Sequence, residues 1–233
     1  MEREVVITAD GSSTIYLPEW DEQYHSKHGA IQEAYHVFIK HGLYHFCDSE
    51  EYQFDRSQGV NSRIAILEIG FGTGLNSFIT LLEAEKLNMS VDYVGVEGYP
   101  VAINEIEQLN YATQLKVENN KEVFKTMHDV SWEEKHQMSS NFSLTKQNRF
   151  FSEIKDQNLY NLIYFDAFGA RVQPELWTEA IFKKMFDALK EKGVLVTYAA
   201  KGSVRRAMQT VGFIVEKLPG PPGKREMLRA TKH

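Results

Sequence analysis

Apolar and polar positions in this chain switch between two periods. Ile64, Ile66, Leu67 and Ile69 form a short β-branched run of the kind found in buried parallel strands. Gly70, Gly72 and Gly74 break it. Leu75, Phe78, Ile79 and Leu82 then recur at helical spacing and predict a helix over 75–86. The same alternation continues downstream, with strands predicted over 91–97, 142–146, 159–165, 194–198, 213–218 and 225–230. Helices are predicted over 100–109, 175–190 and 203–211, with Pro100 suited to a first turn. Residues 120–139, which contain Trp132 and two histidines, read as a helical insertion. Pro219-Gly220-Pro221-Pro222-Gly223 is too short for a crossover helix, so the last two strands must pair antiparallel.

Upstream, strands over 4–8 and 14–17 flank the turn signal Asp10-Gly11-Ser12. A polar loop over 24–29 precedes a helix over 30–40, with Gly42 as its expected C-cap, and 48–61 reads as loop. The fold class is therefore α/β: a doubly wound, Rossmann-like, seven-stranded, mostly parallel sheet ending in an antiparallel hairpin. A small N-terminal hairpin and helix, residues 1–60, pack on the core formed by 61–233 as one domain. There is no internal repeat.

Composition narrows the class. A chain of 233 residues suits one domain with a sizeable core, and 42% hydrophobic with 25% charged residues is ordinary for a soluble globular protein. The single cysteine, Cys47, excludes an internal disulfide, and no Cys/His cluster has zinc spacing, so no metal site is expected. No signal-peptide core and no apolar run of membrane-span length occur, which together with the lone cysteine gives a cytoplasmic expectation without membrane contact. Net charge is −6, yet residues 193–233 carry eight Lys/Arg against Glu216 and Glu226, leaving −12 on residues 1–192. That basic end suits phosphates or a merely solvated face.

The glycines select among ligands. A dinucleotide fingerprint needs a small residue at 75, which is Leu75, and no G-x-x-x-x-G-K-[ST] loop occurs. The pattern E-x-G-x-G-x-G, from Glu68 to Gly74, resembles motif I of class I S-adenosylmethionine-dependent methyltransferases; a turn serving only tight strand–helix packing is the plain alternative. In open α/β sheets, ligands bind at the carboxyl ends of the strands. Those ends offer Glu68–Gly74, Glu97, Asn148, Asp166 and residues 198–202. Glu97, 23 residues after Gly74, can accept both hydroxyls of an adenosine ribose. Asp166 stands where a transferred methyl would be, able to orient an ammonium and take its proton, or alternatively to cap a helix. Asp166-Ala167-Phe168 lacks the Pro-Pro-aromatic grip on ring amines, which favours an aliphatic amine. His25, Ser26 and His28 are weaker acid–base candidates. His41, His45, His128 and His136 read as surface or packing residues, Trp177 as packing, and Cys47 as inert.

Several separate stretches then point one way: residues 8–12 and 24–30, 67–76, Asp-Ala-Phe-Gly-Ala-Arg-Val-Gln-Pro-Glu-Leu-Trp over 166–177, 193–206, and 220–228. Over nearly the whole chain they resemble the methyltransferase domain of the bacterial bifunctional enzymes that complete 5-methylaminomethyl-2-thiouridine at the tRNA wobble position. The resemblance implies methyl transfer from S-adenosylmethionine to the amine of 5-aminomethyl-(2-thio)uridine. By motif, Gly70, Gly72, Gly74 and Glu97, with Glu68 and Asn76, would hold the cofactor, and Asn148 would contact adenine in place of the usual acid. Asp166 would lie between sulfonium and amine. Tyr24, His25, Ser26, Phe168, Lys224 and Arg225 would close over the acceptor or meet tRNA. The flavin oxidase domain of the bifunctional enzymes would follow this one, and the chain stops at His233, so no flavin is expected. The alternatives are a small-molecule amine methyltransferase and a binding protein retaining a relic pocket.

Overall fold

The structure, a computed structural model, describes residues 2–57 and 63–233. Three strands, β1 (Glu4–Ile7), β2 (Ser13–Leu17) and β3 (Glu22–Gln23), form a small antiparallel sheet. The expected hairpin is present because Asp10 Oδ1 accepts the Ser12 amide at 3.0 Å and closes the turn; β3 adds a strand to it.

Eight strands among the described residues form the main sheet: β4 (Ile64–Ile69), β5 (Val91–Val96), β6 (Lys135–Gln137), β7 (Phe142–Gln147), β8 (Tyr160–Phe165), β9 (Leu189–Thr197), β10 (Ile214–Pro219) and β11 (Glu226–Thr231). Their order is β10-β11-β9-β8-β4-β5-β7-β6. The seven expected strands are there, β4 pairing parallel with β5 and β8, and β11 antiparallel with β9 and β10. The eighth, β6, comes from the expected helical insertion. That stretch is helical only over Lys121–Asp129; Lys135–Gln137 then pairs antiparallel with β7.

Alternation along the strands feeds two cores. Ile64 and Ile66 pack with Val37, Phe38 and Phe78 on one face, whereas Leu67, Ile69 and Phe165 pack with Phe182 and Met208 on the other. Glu68, two residues beyond Ile66, falls in register with the first face and is 1% exposed.

Four local expectations change. The N-terminal helix runs through 47 rather than ending at 40, α-helical over Ala30–Ala34 and His45–Cys47 and π-helical over Tyr35–Tyr44. Gly42 is inside it. A Cβ there would stand 3.0 Å from Val196 Cγ2 and 3.3 Å from Tyr164 Cε1, so the bare backbone lets the helix lie on β8 and β9. Glu50–Ser57 is helix instead of loop, preceded by a turn at Asp48 and Ser49; positions 58–61 of that loop, and with them the 60/61 boundary, lie outside the described residues. The helix expected over 100–109 shrinks to Ile103–Ile106, with Ala102 extended before it and Pro100 outside. The helix expected over 175–190 splits into a 3-10 turn, Pro174–Trp177, and the helix Glu179–Ala188.

Candidate active site

Beyond β4 the backbone turns through three residues of positive φ, Gly70 (+90°), Gly72 (+50°) and Gly74 (+72°). Gly70 has no substitute: a Cβ would stand 2.7 Å from the Asp166 carbonyl oxygen, so β4 and β8 deliver their loops edge to edge. Gly74 is the N-cap of the helix Leu75–Lys86. The Gly72 N–H donates to Glu97 Oε2 at 3.0 Å, and the Tyr99 N–H donates to Glu97 Oε1 at 2.8 Å. Both oxygens of that carboxylate are thus oriented by backbone.

A polar chain runs behind the loop. Asn76 Nδ2 donates to Glu68 Oε1 at 2.9 Å and to Asp166 Oδ2 at 2.8 Å. Burial raises the Glu68 carboxyl well above its usual range, against the bond from Asn76, and the Tyr93 phenol lies against it. Burial also lifts Asp166 to about 7; the Glu33 charge adds to this, while Asn76 and Lys224 oppose it. Glu68 Oε2 and Asn76 Oδ1 are buried without a partner among the described residues.

These groups line a cavity of about 680 Å³ at the carboxyl ends of the strands. The N-terminal sheet roofs it. Arg171 ties the roof down, donating to the Trp20 and Asp21 carbonyls at 2.9 and 2.8 Å, and Arg3 does so at the other end through the Tyr99 and Pro100 carbonyls. The Tyr24 ring meets Phe168 edge-on with centroids 5.0 Å apart. His25 lies beneath, with Nδ1 3.0 Å from Thr14 Oγ1 and Nε2 3.4 Å from Thr73 Oγ1. Burial pushes its imidazole down to about 4, so the ring is neutral at physiological pH.

The family model described as S-adenosyl-L-methionine-dependent methyltransferase matches residues 106–233, more than half of the chain. The chain belongs to this family. Among curated proteins, this methyltransferase is similar to the tRNA 5-methylaminomethyl-2-thiouridine biosynthesis bifunctional protein MnmC of Hydrogenovibrio crunogenus, 27% identical over 217 residues, covering 89% of this chain and 31% of that protein. The protein of the same name from Leptospira interrogans is 26% identical over 229 residues, covering 96% of this chain and 34% of the relative. The chain therefore spans about a third of the length of the curated relatives it matches. The crystal structure of MNMC2 from Aquifex aeolicus superposes with a TM-score of 0.76 at 25% identity, covering 100% of this chain and 70% of that one.

The methyltransferase fold gathers Glu68, Gly70, Gly72, Asn76, Glu97, Asp166, Tyr24, His25 and Phe168 around the cavity, with Gly74 immediately behind as the helix cap. Besides Gly74, four expected site residues stand outside its lining. Asn148 is exposed and its side-chain amide donates to the Glu97 carbonyl at 2.9 Å; an amide committed to the strand end does not face the cavity. The Ser26 N–H donates to Glu33 Oε1 at 3.0 Å. Lys224 is ion-paired with Glu33, and Arg225 is exposed at the hairpin turn. Tyr198, at a strand end named in the sequence but given no role, lines the cavity; Trp20, Phe150 and Arg3, which also line it, and Glu33 behind it were overlooked. Glu33 had a signal: Ala30, Glu33, Ala34 and Val37 form one helical stripe, with an acid where an apolar residue belongs. Trp177 packs as expected, its indole N–H donating to the Phe168 carbonyl at 2.7 Å.

Proposed function

We propose that this methyltransferase transfers a methyl group to the aminomethyl nitrogen of 5-aminomethyl-(2-thio)uridine at the tRNA wobble position, in the cytoplasm. One observation carries the choice of an amine. Among the described residues, five carboxyl groups line the cavity (Glu22, Glu68, Glu97, Asp166, Glu175) against one guanidinium, Arg3. A low-dielectric cavity of that charge favours a cationic ligand and an acceptor that arrives as an ammonium. The likeness to proteins named for 5-methylaminomethyl-2-thiouridine biosynthesis in tRNA supports the particular amine.

S-adenosylmethionine fits the residues present. The bare backbone at Gly72 leaves room beside the Tyr24 ring that a Cβ, 3.1 Å from Tyr24 Cδ1, would narrow, and Glu68 Oε2 and Asn76 Oδ1 are buried without a partner among the described residues. On this reading Gly70–Gly74 and Glu97 hold the cofactor, and Asn76 fixes Asp166. When bound, S-adenosylmethionine would supply an activated methyl carbon on a sulfonium; its transfer to the amine lone pair would leave the C–S electron pair on sulfur and free one proton from the nitrogen. Asp166 is the group to receive or relay that proton, because a carboxyl held near 7 is closer in pKa to the ammonium than an ordinary aspartate. Tyr24 and Phe168 close the acceptor end. The proposal assigns no oxidase or flavin chemistry to this chain. It treats residues 1–60 as an extension of the domain 61–233, since the roof built from positions 3–25 completes the cavity.

For tRNA, the usable cations are fewer than the eight in the sequence. Lys217 pairs with Glu226, Arg229 with Glu216 and Lys224 with Glu33, while Lys232 is buried on the Leu189 carbonyl. Lys201, Arg206 and Arg225 are exposed, with no ion pair among the described residues. These three are the phosphate contacts of the proposal. The inward pairing of half the basic set is also what would favour a small-molecule amine. Methyl transfer from labelled S-adenosylmethionine to tRNA from a strain lacking this protein, with the nucleosides resolved, decides between them. Label in methylaminomethyluridine is the expected result; no label in tRNA with cofactor binding intact would shift the assignment to a small amine.

A further inference from the structure

Lys224 and Glu33 come from opposite regions of the chain and meet behind the acceptor end. Glu33 is 5% exposed on the helix stripe described above. Its Oε2 takes the Lys224 ammonium, and its Oε1 accepts the Ser26 N–H at 3.0 Å. The same ammonium stands 3.8 Å from the centroid of the Tyr198 ring, a cation–π contact. The Tyr198 hydroxyl donates to the Ala167 carbonyl at 2.8 Å, one residue after Asp166. A single ion pair thus touches both walls: the Tyr24–Ser26 segment through Glu33, and the Asp166–Phe168 segment through Tyr198. The turn carrying Lys224 is held in shape by Gly223 at φ +82°, packed on the His28 ring.

We propose that Glu33 and Lys224 are a positioning pair for methyl transfer, locking the two walls of the acceptor end in register. The inference rests on the amine-methyltransferase reading. Lys224 is accordingly not a phosphate contact. The pair is only partly buried, with the Lys224 side chain 32% exposed, and such pairs add little net stability, so geometry is what this pair supplies.

The test uses Glu33→Gln, Lys224→Met, the double variant and Lys224→Arg. Each neutralising single should lower kcat roughly 10- to 100-fold, since small misplacements of reacting groups cost that much. KM for tRNA and affinity for S-adenosylhomocysteine should be unchanged. The double should be no worse than the worse single, as members of one unit are non-additive, and Lys224→Arg should recover most of the rate. The pH profile separates positioning from general damage. Asp166 faces Glu68 and Asn76, Tyr93 and Tyr198, and, from the helix and the hairpin, Glu33 and Lys224. Removing the Glu33 charge should move the acid limb to lower pH, and removing the Lys224 charge should move it to higher pH. Shifts in one direction, or none, overturn the proposal. So does a Lys224→Met variant that keeps kcat but flattens the salt dependence of tRNA binding. Hydrogen exchange at Ser26 and across 166–168 needs no acceptor and should quicken in both singles. If wild type fails to methylate tRNA, tRNA falls as the acceptor while exchange still judges the pair; unchanged exchange in both singles sinks the pair itself.

Discussion

Asn76 gives both hydrogens of its side-chain amide to carboxyl groups, Glu68 on one side and Asp166 on the other. Two carboxylates so close would repel, and burial eases the conflict by pushing the Glu68 carboxyl well above its usual range. Asp166 is left as the group that titrates near neutrality. Asp166→Ala should reduce kcat by about 10²- to 10⁴-fold, the range for loss of a proton-transfer group, with little change in cofactor affinity measured by calorimetry. Wild-type kcat should rise with pH through an apparent pKa near 7. Stability runs the other way. A carboxyl whose folded pKa is raised from 3.8 to about 7 disfavours the folded state increasingly as pH climbs between those values. Asp166→Asn should therefore raise Tm, and more at about pH 8 than at about pH 5; a gain independent of pH would show that the carboxyl is not held up.

At the scale of elements, the loop after β4 depends on backbone more than on side chains. Gly70→Ala puts a Cβ against the Asp166 carbonyl at a φ of +90°. It should cost on the order of 1–3 kcal/mol in thermal unfolding and weaken binding of S-adenosylhomocysteine. Gly169→Ala is the control, because its Cβ would meet only Tyr198 Oη at 3.7 Å and should change neither. This loop and the strands around it were legible in the sequence because each is a contiguous run with one period. β6 was not: Lys-His-Gln is too short and polar to show alternation, and only the edge offered by β7 makes it a strand. The π stretch Tyr35–Tyr44 was hidden for another reason. Its apolar residues fit an α-helical stripe nearly as well, and Gly42 resembles a terminator until the sheet beneath it is known. At the site, Asp166 and Glu97 could be read from their strand ends and Lys224 from its motif, whereas the role of Lys224 as partner of Glu33, 191 positions away, could not.

For the molecule as a whole, the acidic cavity and the basic end segregate opposite tasks: the first suits a cation, the second a polyanion. Replacing Lys201, Arg206 and Arg225 by Ala should each weaken tRNA binding and lower its salt slope by about 0.7 to 0.9, with S-adenosylhomocysteine affinity unaffected. Equal slopes in wild type and the triple variant would remove this face from the tRNA footprint.

The ion pair behind the acceptor end closes a loop of 191 residues, whereas the strands that frame the glycine loop on the Glu97 side, β4, β5 and β7, lie within residues 64–147. Long closures carry the larger entropic cost and local units open independently of the rest. In rising urea, turnover should accordingly vanish at a lower concentration than far-UV dichroism. The enzyme would then be silenced by mild stress while its sheet persists, and would recover without refolding when the stress is withdrawn.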